Sequence, residues 1–348
     1  GAQNSKMAIE VCRAGGLGSI PAAMLSVETL ANEIAAVQAV TDKALNINFF
    51  AHTVPALDAR RQQQWQQLLQ AYFTQYGIDP QNLPAAVQRM PFAQAQLEVL
   101  QQYRPAVVSF HFGLPNEALL QAVKDTGAKV LASATTVAEA IFLAERGVDG
   151  IIAQGSEAGG HRGVFLGVEP GVTENQSNVA EQLGTFALLP QVVEAIQRYA
   201  IPVIAAGGLA GGATFTAARA LGASAVQLGT SYLLCPESLI SPLHRAALLA
   251  AKANPSQHVT AITNVFTGKP ARSLTTGLMR DLRYIHPLVN EFPHAGQEVA
   301  ALKVAAEAQG ISDFSSMWSG QNLAACAEVP AYDLTRALLA QWTASAIG

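Results

Sequence analysis

The sequence is poor in charge, in cysteine and in long apolar runs, and each shortage excludes a class of protein. Only 13% of the 348 residues are charged and the formal net charge is −4, so no nucleic-acid partner is expected. The cysteines Cys12, Cys235 and Cys326 lie far apart, which gives neither a disulfide framework nor a zinc pattern and fits a reducing cytoplasm. No apolar run reaches the roughly 18 residues of a membrane span, and the first residues lack a signal-peptide pattern. We therefore expect a cytoplasmic protein without a membrane partner.

What the sequence has in quantity is apolar residues, arranged as short runs that alternate with longer helical patterns. Half of the residues are hydrophobic, enough to bury a large core. Short, mostly apolar runs are typical of buried parallel strands, and strict alternation with helices implies right-handed crossovers. The strand candidates are residues 17–20, 45–50, 106–111, 129–132, 150–154, 202–206 and 224–229. The helix candidates between and beside them are residues 27–40, 59–76, 116–125, 137–146, 189–199 and 212–221.

This alternation predicts an α/β fold, a (β/α)8 TIM barrel with an appended helical region. A closed barrel of this class has eight strands, so the first barrel strand is apparently missing from this chain and should precede Gly1. An open doubly wound sheet tolerates seven strands and is the alternative fold. We expect the barrel to span residues 1–235, with a helical insertion at about 78–104 and a long loop at 163–184. Residues 236–348 are predicted to be a helical region packed on the barrel.

Two glycine-containing turns follow consecutive strand candidates near the end of the predicted barrel. The segment IPVIAAGGLAGG runs into Gly207 and Gly208, and ASAVQLGTSYL runs through Gln227 to Gly229 and Thr230. Loops after the last two barrel strands commonly form a phosphate site, because glycine lets backbone N–H groups approach the phosphate oxygens. The pattern fits a monophosphate and is neither a Walker loop nor a dinucleotide motif.

A third segment, GIIAQGSEAGGHRG, places His161 in a glycine-rich loop after a strand that ends at Gln154. A neutral imidazole can accept a proton near pH 7, which suits abstraction of an acidic C–H proton. His111, in VVSFHFGLP, also ends a strand and is the alternative base. Glu157 could orient the loop or merely cap it. None of the histidines shows metal-ligand spacing, so no metal site is expected.

Asn48 lies in LNINFF, where Leu45, Ile47 and Phe49 alternate with it and face the opposite side of the strand. An asparagine that points into a barrel mouth needs either hydrogen bonds in the core or a ligand. The sequence has no nucleophile elbow, no HExxH zinc motif and no paired-carboxylate signature. Acyl transfer and metal-dependent hydrolysis are therefore not supported.

Six segments carry a family resemblance, and they read GGLGSI, LNINFF, VVSFHFGLP, GIIAQGSEAGGHRG, IPVIAAGGLAGG and AVQLGTSYL. Taken together, they resemble the nitronate monooxygenases of the bacterial class I type, formerly called 2-nitropropane dioxygenases. The resemblance runs from about Ala14 to Thr230 and, more loosely, through TGKPAR. It implies a barrel that binds FMN without a covalent link, with His161 as the catalytic base. It also implies FMN contacts near the isoalloxazine and ribityl chain from Asn48, Gln154 and Gly159, and near the phosphate from Gly208, Gln227, Leu228, Gly229 and Thr230.

The activity implied by the resemblance is oxidation of alkyl nitronates by O₂ to a carbonyl compound and nitrite, with propionate 3-nitronate as the favoured substrate. The chain departs from the family pattern in two places, since a first strand reading roughly QAPM is absent and the 163–184 loop is longer. Three other functions stay open: an FMN-dependent enoyl-thioester reductase, a phosphate-ligand-binding barrel without redox activity, and a non-catalytic barrel. Nothing in the sequence indicates an oligomeric state.

Overall fold

The computed structural model describes residues 1–84, 89–166, 179–257 and 259–345 of the chain. These residues form strands at each position predicted from the sequence, and three further strands. The strands are β1 (Gly18–Pro21), β2 (Leu45–Phe50), β3 (Val107–His111), β4 (Lys129–Ala134), β5 (Gly150–Gln154), β6 (Gly160–His161), β7 (Val203–Ala206), β8 (Ala225–Gln227), β9 (Thr260–Thr263) and β10 (Ala271–Leu274).

Seven strands form one parallel sheet in the order β1-β2-β3-β4-β5-β7-β8. Each strand pairs with the next strand of that sheet along the chain, and the order never reverses. A doubly wound sheet reverses its strand order at a switch point, whereas a (β/α)8 barrel is wound in one direction. The barrel prediction is therefore confirmed, and the doubly wound alternative is wrong. Within the described ranges, β1 and β8 at the two edges each pair with one strand of this sheet.

Helices follow the strands, and polar residues at their first positions explain where several of them begin. The side chains of Ser26, Asn116 and Thr136 each accept a hydrogen bond from a backbone N–H of the helix that follows. The helices are α1 (Ser5–Arg13), α2 (Val27–Gln38), α3 (Ala59–Tyr76), α4 (Gln94–Tyr103), α5 (Glu117–Asp125), α6 (Val137–Glu145), α7 (Thr185–Ala195), α8 (Ala213–Ala220), α9 (Pro242–Ala253), α10 (Gly277–Asp281), α11 (Gly296–Glu307) and α12 (Ala331–Ala344).

Two helices lie between β2 and β3, and the structure reverses the roles expected for them. Leu97 and Leu100 of α4 are buried in the core formed by the parallel sheet and its helices. Trp65, Leu69 and Phe73 of α3 are fully buried in a second core, together with apolar residues that lie between Val265 and Phe314. The helix inserted outside the barrel is therefore α3, whereas α4 packs on the barrel. This corrects the predicted insertion at about 78–104, which contains α4, by one helix. Residues 85–88 of that range lie outside the described part.

The region after Pro236 is not purely helical, which corrects the expectation for residues 236–348. Strands β9 and β10 form an antiparallel sheet with β6, in the order β6-β10-β9. In this sheet Ala271 pairs with His161. The C-terminal region is therefore joined by backbone hydrogen bonds to the glycine-rich loop that follows β5.

Helix α12 returns to the barrel and covers its outer surface beside α1 and α8. Leu334 and Leu338 of α12 belong to the barrel core. The hydroxyl groups of Tyr232 and Thr335 form a hydrogen bond of 2.8 Å, which ties α12 to the turn after β8. No helix within the described ranges is long and apolar enough to cross a membrane.

Candidate active site

Polar side chains line the inner face of β2 and β3, as the alternation in LNINFF predicts. Leu45, Ile47 and Phe49 are buried in the core on the opposite face of β2. The side-chain amides of Asn46 and Asn48 both donate to Oγ of Ser109, each at 2.9 Å. Asn48 is half-buried, and its Oδ1 accepts no hydrogen bond from the described residues. The strand therefore presents an available acceptor toward the barrel interior.

Gln154, at the end of β5, clamps the backbone of the loop that carries His161. Its Nε2 donates to the carbonyl oxygen of His161 at 3.0 Å, and its Oε1 accepts from the N–H of Gly163 at 2.9 Å. Arg162, between them, is 1% exposed and donates to the carbonyl oxygens of Gln154 and Gly155. The sequence predicted Gln154 as a cofactor contact, and in the structure its amide fixes the loop.

The ring of His161 is enclosed by aromatic side chains and tied at one nitrogen. Its Nε2 lies 2.9 Å from Oγ1 of Thr267. The aromatic rings around it have centroids at 6.1 Å for Phe50, 5.8 Å for Phe112, 5.6 Å for Phe292 and 5.4 Å for Trp318. These residues come from four separate parts of the chain, so strand β2 of the barrel and the C-terminal region both contribute to the enclosure.

The electrostatic surroundings of His161 keep the imidazole neutral. Burial lowers its pKa well below 6.5, and the positive charges of Arg89 and Lys269 act in the same direction. Lys269 is 2% exposed, and its Nζ lies 4.5 Å from the centroid of the Phe112 ring. His52, also buried, has a pKa lowered to about 4, first by burial and then by Lys269. The positive charges of Arg89 and Lys269 beside these neutral imidazoles favour an anionic ligand.

His111 lies beside His161 and is held at both ring nitrogens. Its Nδ1 lies 2.6 Å from Oγ of Ser133, and its Nε2 lies 3.2 Å from the carbonyl oxygen of His161. Burial lowers the pKa of His111 to about 4. The two candidate bases are therefore neighbours. Both ring nitrogens of His111 have hydrogen-bond partners, whereas His161 has one at Nε2 among the described residues.

The two glycine turns expected to bind phosphate lie together at the carboxyl ends of β7 and β8. Gly207 and Gly208 have φ values of +111° and +69°, a region that favours glycine. The backbone N–H groups of Gly208, Gly229 and Thr230 have no hydrogen-bond acceptor among the described residues. A Cβ atom built on Gly229 meets nothing within 4 Å. Free N–H groups beside open space fit a bound phosphate.

A C-terminal segment also reaches this phosphate-type cradle, defined as Gly207, Gly208, Gly229 and Thr230. The N–H of Gly320 donates to Oγ1 of Thr230 at 2.9 Å. The side-chain amide of Asn322 donates to the carbonyl oxygen of Gly208 at 2.8 Å. The cradle is therefore braced by residues that sequence analysis did not select.

Three other predicted residues lie near the cradle in different surroundings. A Cβ atom on Gly159 would lie 2.5 Å from the backbone nitrogen of Gly320, so the close packing of two backbones explains this glycine. Gln227 is exposed on the edge strand β8, and Leu228 is half-buried against the barrel core.

Glu157 fastens the glycine-rich loop to the start of α7. Its carboxylate accepts hydrogen bonds from the backbone N–H of Thr185 at 2.8 Å and from Oγ1 of Thr185 at 3.0 Å. A carboxylate at a helix N-terminus is favoured by the helix dipole. Of the two roles left open for Glu157, the structure favours the one that orients the loop.

The loop predicted at 163–184 is tethered at both described ends, and residues 167–178 lie outside the described part. Near its start, the N–H groups of Phe165 and Leu166 donate to Oε1 of Glu139 at 2.7 and 3.2 Å. Near its end, the side chains of Arg162 and Gln182 form a hydrogen bond.

Sequence reasoning missed several residues that surround His161. Thr267 and Lys269 lie in TGKPAR, a segment that carried a weak signal in its resemblance to the family. Phe292 and Trp318 carried none, because an isolated aromatic residue in a helical region looks like any other core residue. No cluster of three or more His, Cys, Asp or Glu suited to a metal occurs in the described ranges.

Fold and site together define a barrel enzyme whose polar residues lie at the carboxyl ends of the parallel strands. The family model for nitronate monooxygenase matches residues 1–341 of the chain. The chain therefore belongs to the nitronate monooxygenase family.

Relatives and solved structures agree with this family. The chain is 38% identical over 342 residues to a nitronate monooxygenase of Paraburkholderia phytofirmans, covering 97% of this chain and 88% of the relative. It is 37% identical over 344 residues to that of Pseudomonas aeruginosa, covering 97% and 93%. The structure of nitroalkane oxidase from Streptomyces ansochromogenes superposes with a TM-score of 0.85 at 31% identity, covering 99% and 94% of the two chains. FabK from Thermotoga maritima gives 0.70 at 25% identity, covering 99% and 90%.

Proposed function

We propose that the chain oxidises alkyl nitronates with O₂ to a carbonyl compound and nitrite, using FMN, and that His161 is the base for neutral nitroalkanes. The observation that carries the proposal is the setting of His161, which is half-buried among aromatic rings, has a pKa lowered well below 6.5 by desolvation, and is tied at Nε2 to Thr267. Membership of the nitronate monooxygenase family supports the reaction class. Propionate 3-nitronate is the substrate that we favour.

The phosphate-type cradle would hold the FMN phosphate through backbone N–H groups. Gly208, Gly229 and Thr230 each offer an N–H without an acceptor among the described residues, and Gly229 faces open space. When bound, the flavin supplies the electron acceptor of the reaction. The residues that we propose to line it are Asn48, Gln154, Gly159, Gly207, Gly208, Gln227, Leu228, Gly229 and Thr230.

His161 would take a proton from the α-carbon of a neutral nitroalkane at Nδ1. Its Nε2 is engaged by Thr267, and no described residue hydrogen-bonds to Nδ1. The imidazole is neutral at physiological pH because its pKa is lowered, so it can accept a proton without first losing one. Lys269 and Arg89 would stabilise the nitronate anion that forms. A preformed nitronate needs no such base.

The test compares a neutral nitroalkane with its preformed nitronate in His161→Asn. Removal of a general base costs about 10²–10⁴-fold in rate, and we expect that loss on the neutral substrate, with a much smaller loss on the nitronate. His286→Asn is the control, because in the described residues the His286 side chain has no hydrogen bond or ring contact with His161, and its Nδ1 accepts a local backbone N–H. Equal losses on both substrates would show that His161 binds substrate or supports the structure.

Two further measurements address the other functions. A purified sample that stays colourless after FMN addition would contradict the flavin proposal and favour a barrel without redox activity. Consumption of NAD(P)H with an enoyl thioester, together with no turnover of nitronates, would favour the reductase.

A further inference from the structure

We infer that His111 is a positioning residue, which holds the carbonyl of His161 through Nε2–H and is itself fixed in that tautomer by the hydroxyl of Ser133. The inference rests on the proposed role of His161 as the base. It concerns the residue that sequence analysis left as the alternative base.

The hydrogen-bond partners determine which nitrogen of His111 carries the proton. A carbonyl oxygen can only accept, so Nε2, at 3.2 Å from the carbonyl oxygen of His161, must be the donor. A neutral imidazole has a single N–H, so Nδ1 must accept from Oγ–H of Ser133 at 2.6 Å. The pKa of His111 is lowered to about 4 by burial, which keeps the ring neutral.

This arrangement leaves His111 no lone pair for a substrate proton. Its only basic nitrogen already accepts the Ser133 proton at short distance. Protonation by a substrate at Nδ1 would have to break this bond. Nδ1 of His161 has no comparable partner among the described residues.

The same contacts show what His111 does for its neighbour. The carbonyl oxygen of His161 accepts from two strands at once, from Nε2 of His111 on β3 and from Nε2 of Gln154 on β5. Gly163 permits this approach, since a Cβ there would lie 2.8 Å from Cε1 of His111 and 2.9 Å from Oγ of Ser133. Two donors fix the position of one peptide group, and that group orients the His161 side chain.

The test uses His111→Gln and His111→Leu with the paired nitroalkane and nitronate assays. The side-chain amide of Gln can place a donor near the former Nε2, whereas Leu cannot donate. Misplacement of a catalytic group by about 1 Å can cost about 10²-fold, so we expect His111→Leu to lose up to that factor on the neutral nitroalkane and much less on the nitronate. His111→Gln should recover most of the loss. If His111 were the base, Gln would be as damaging as Leu.

A double variant separates positioning from an independent role. If His111 acts through His161, adding His111→Leu to His161→Asn should cause little further loss on the neutral substrate. Multiplicative losses would overturn the inference. Should His111→Leu not fold, Ser133→Ala serves instead, because it removes the donor that fixes the tautomer; we expect a partial loss confined to the neutral substrate, and full activity would also overturn the inference.

Nitrogen-15 NMR of the folded enzyme tests the tautomer without any turnover. We expect a protonated Nε2 and an unprotonated Nδ1 for His111, and a protonated Nδ1 would refute the hydrogen-bond assignment. The NMR measurement therefore distinguishes failure of this inference from failure of the proposed function. If the parent enzyme did not turn over nitronates, the proposed function would fail, while the NMR result would still decide whether His111 donates to the His161 carbonyl.

Discussion

Substitution of Gly208 by valine should weaken FMN binding far more than it weakens the fold. Gly208 has φ of +69°, and a Cβ atom there would lie 3.3 Å from Cβ and 3.6 Å from Cγ of Glu157. The left-handed conformation costs an ordinary residue about 1–2 kcal/mol. The two methyl groups of valine would extend beyond Cβ toward Glu157, so the turn must shift and move its N–H away from the cradle.

The size of the effect follows from the bond that is lost. A hydrogen bond from a backbone N–H to a charged group contributes about 1.5–3 kcal/mol, which corresponds to an increase of roughly 10–150-fold in the Kd for FMN. Gly77→Val is the matched control. Gly77 has φ of +62° and nothing within 4 Å of its Cβ position, so it carries the backbone strain without touching the cradle.

The assay is titration of the apoenzyme with FMN, followed by quenching of flavin fluorescence, together with thermal unfolding of both variants. We expect both to unfold at lower temperature than the parent, but only Gly208→Val to bind FMN weakly. If Gly208→Val bound FMN as tightly as Gly77→Val, the phosphate would not lie at Gly208.

Two predictions concern stability. Glu139→Gln leaves one acceptor oxygen at a fully buried position where the carboxylate offers two, so either the Phe165 N–H or the Thr135 N–H loses its partner. Each donor left unpaired costs about 1–3 kcal/mol, measured by urea denaturation. The exposed Glu145→Gln should change little, and equal midpoints for the two variants would refute this prediction. Burial lowers the pKa of His244 from 6.5 to about 4. The unfolded chain therefore binds a proton first, and stability present above pH 6.5 is lost as the pH falls toward 4. His244→Leu should flatten this dependence, and an unchanged slope would contradict it.

The sequence was sufficient to predict the parallel sheet, because its strands are short, apolar and bounded by turn residues. It was also sufficient to predict that Asn48 faces inward, since a period of two decides which side chains share a face. It could not identify α3 as the insertion. Periodicity shows that Trp65, Leu69 and Phe73 share a buried face, but it does not show which of two cores receives them.

The short strands of the second sheet were missed for a related reason. All four residues of β10 are buried, so the strand has no polar alternation, and β6 consists of two residues inside a glycine-rich loop. Such strands exist because of pairing between distant segments, here between Ala271 and His161. The aromatic enclosure of His161 depends on the same long-range contacts, so no local pattern marks Phe292 or Trp318.

The location of His161 has a consequence for where the catalytic unit ends. Its carbonyl is held by β3 and β5 of the barrel, whereas its backbone pairs with β10 and its ring is tied to Thr267. Thr267 lies next to Phe266 of the second core, and Gly320 braces Thr230 in the cradle. A chain cut at residue 235, the boundary expected from the sequence, would lose the partner strand of His161, the hydrogen-bond partner of its ring and a brace of the cradle. Position 235 therefore separates two patterns of secondary structure, but the candidate active site is built from both sides of it.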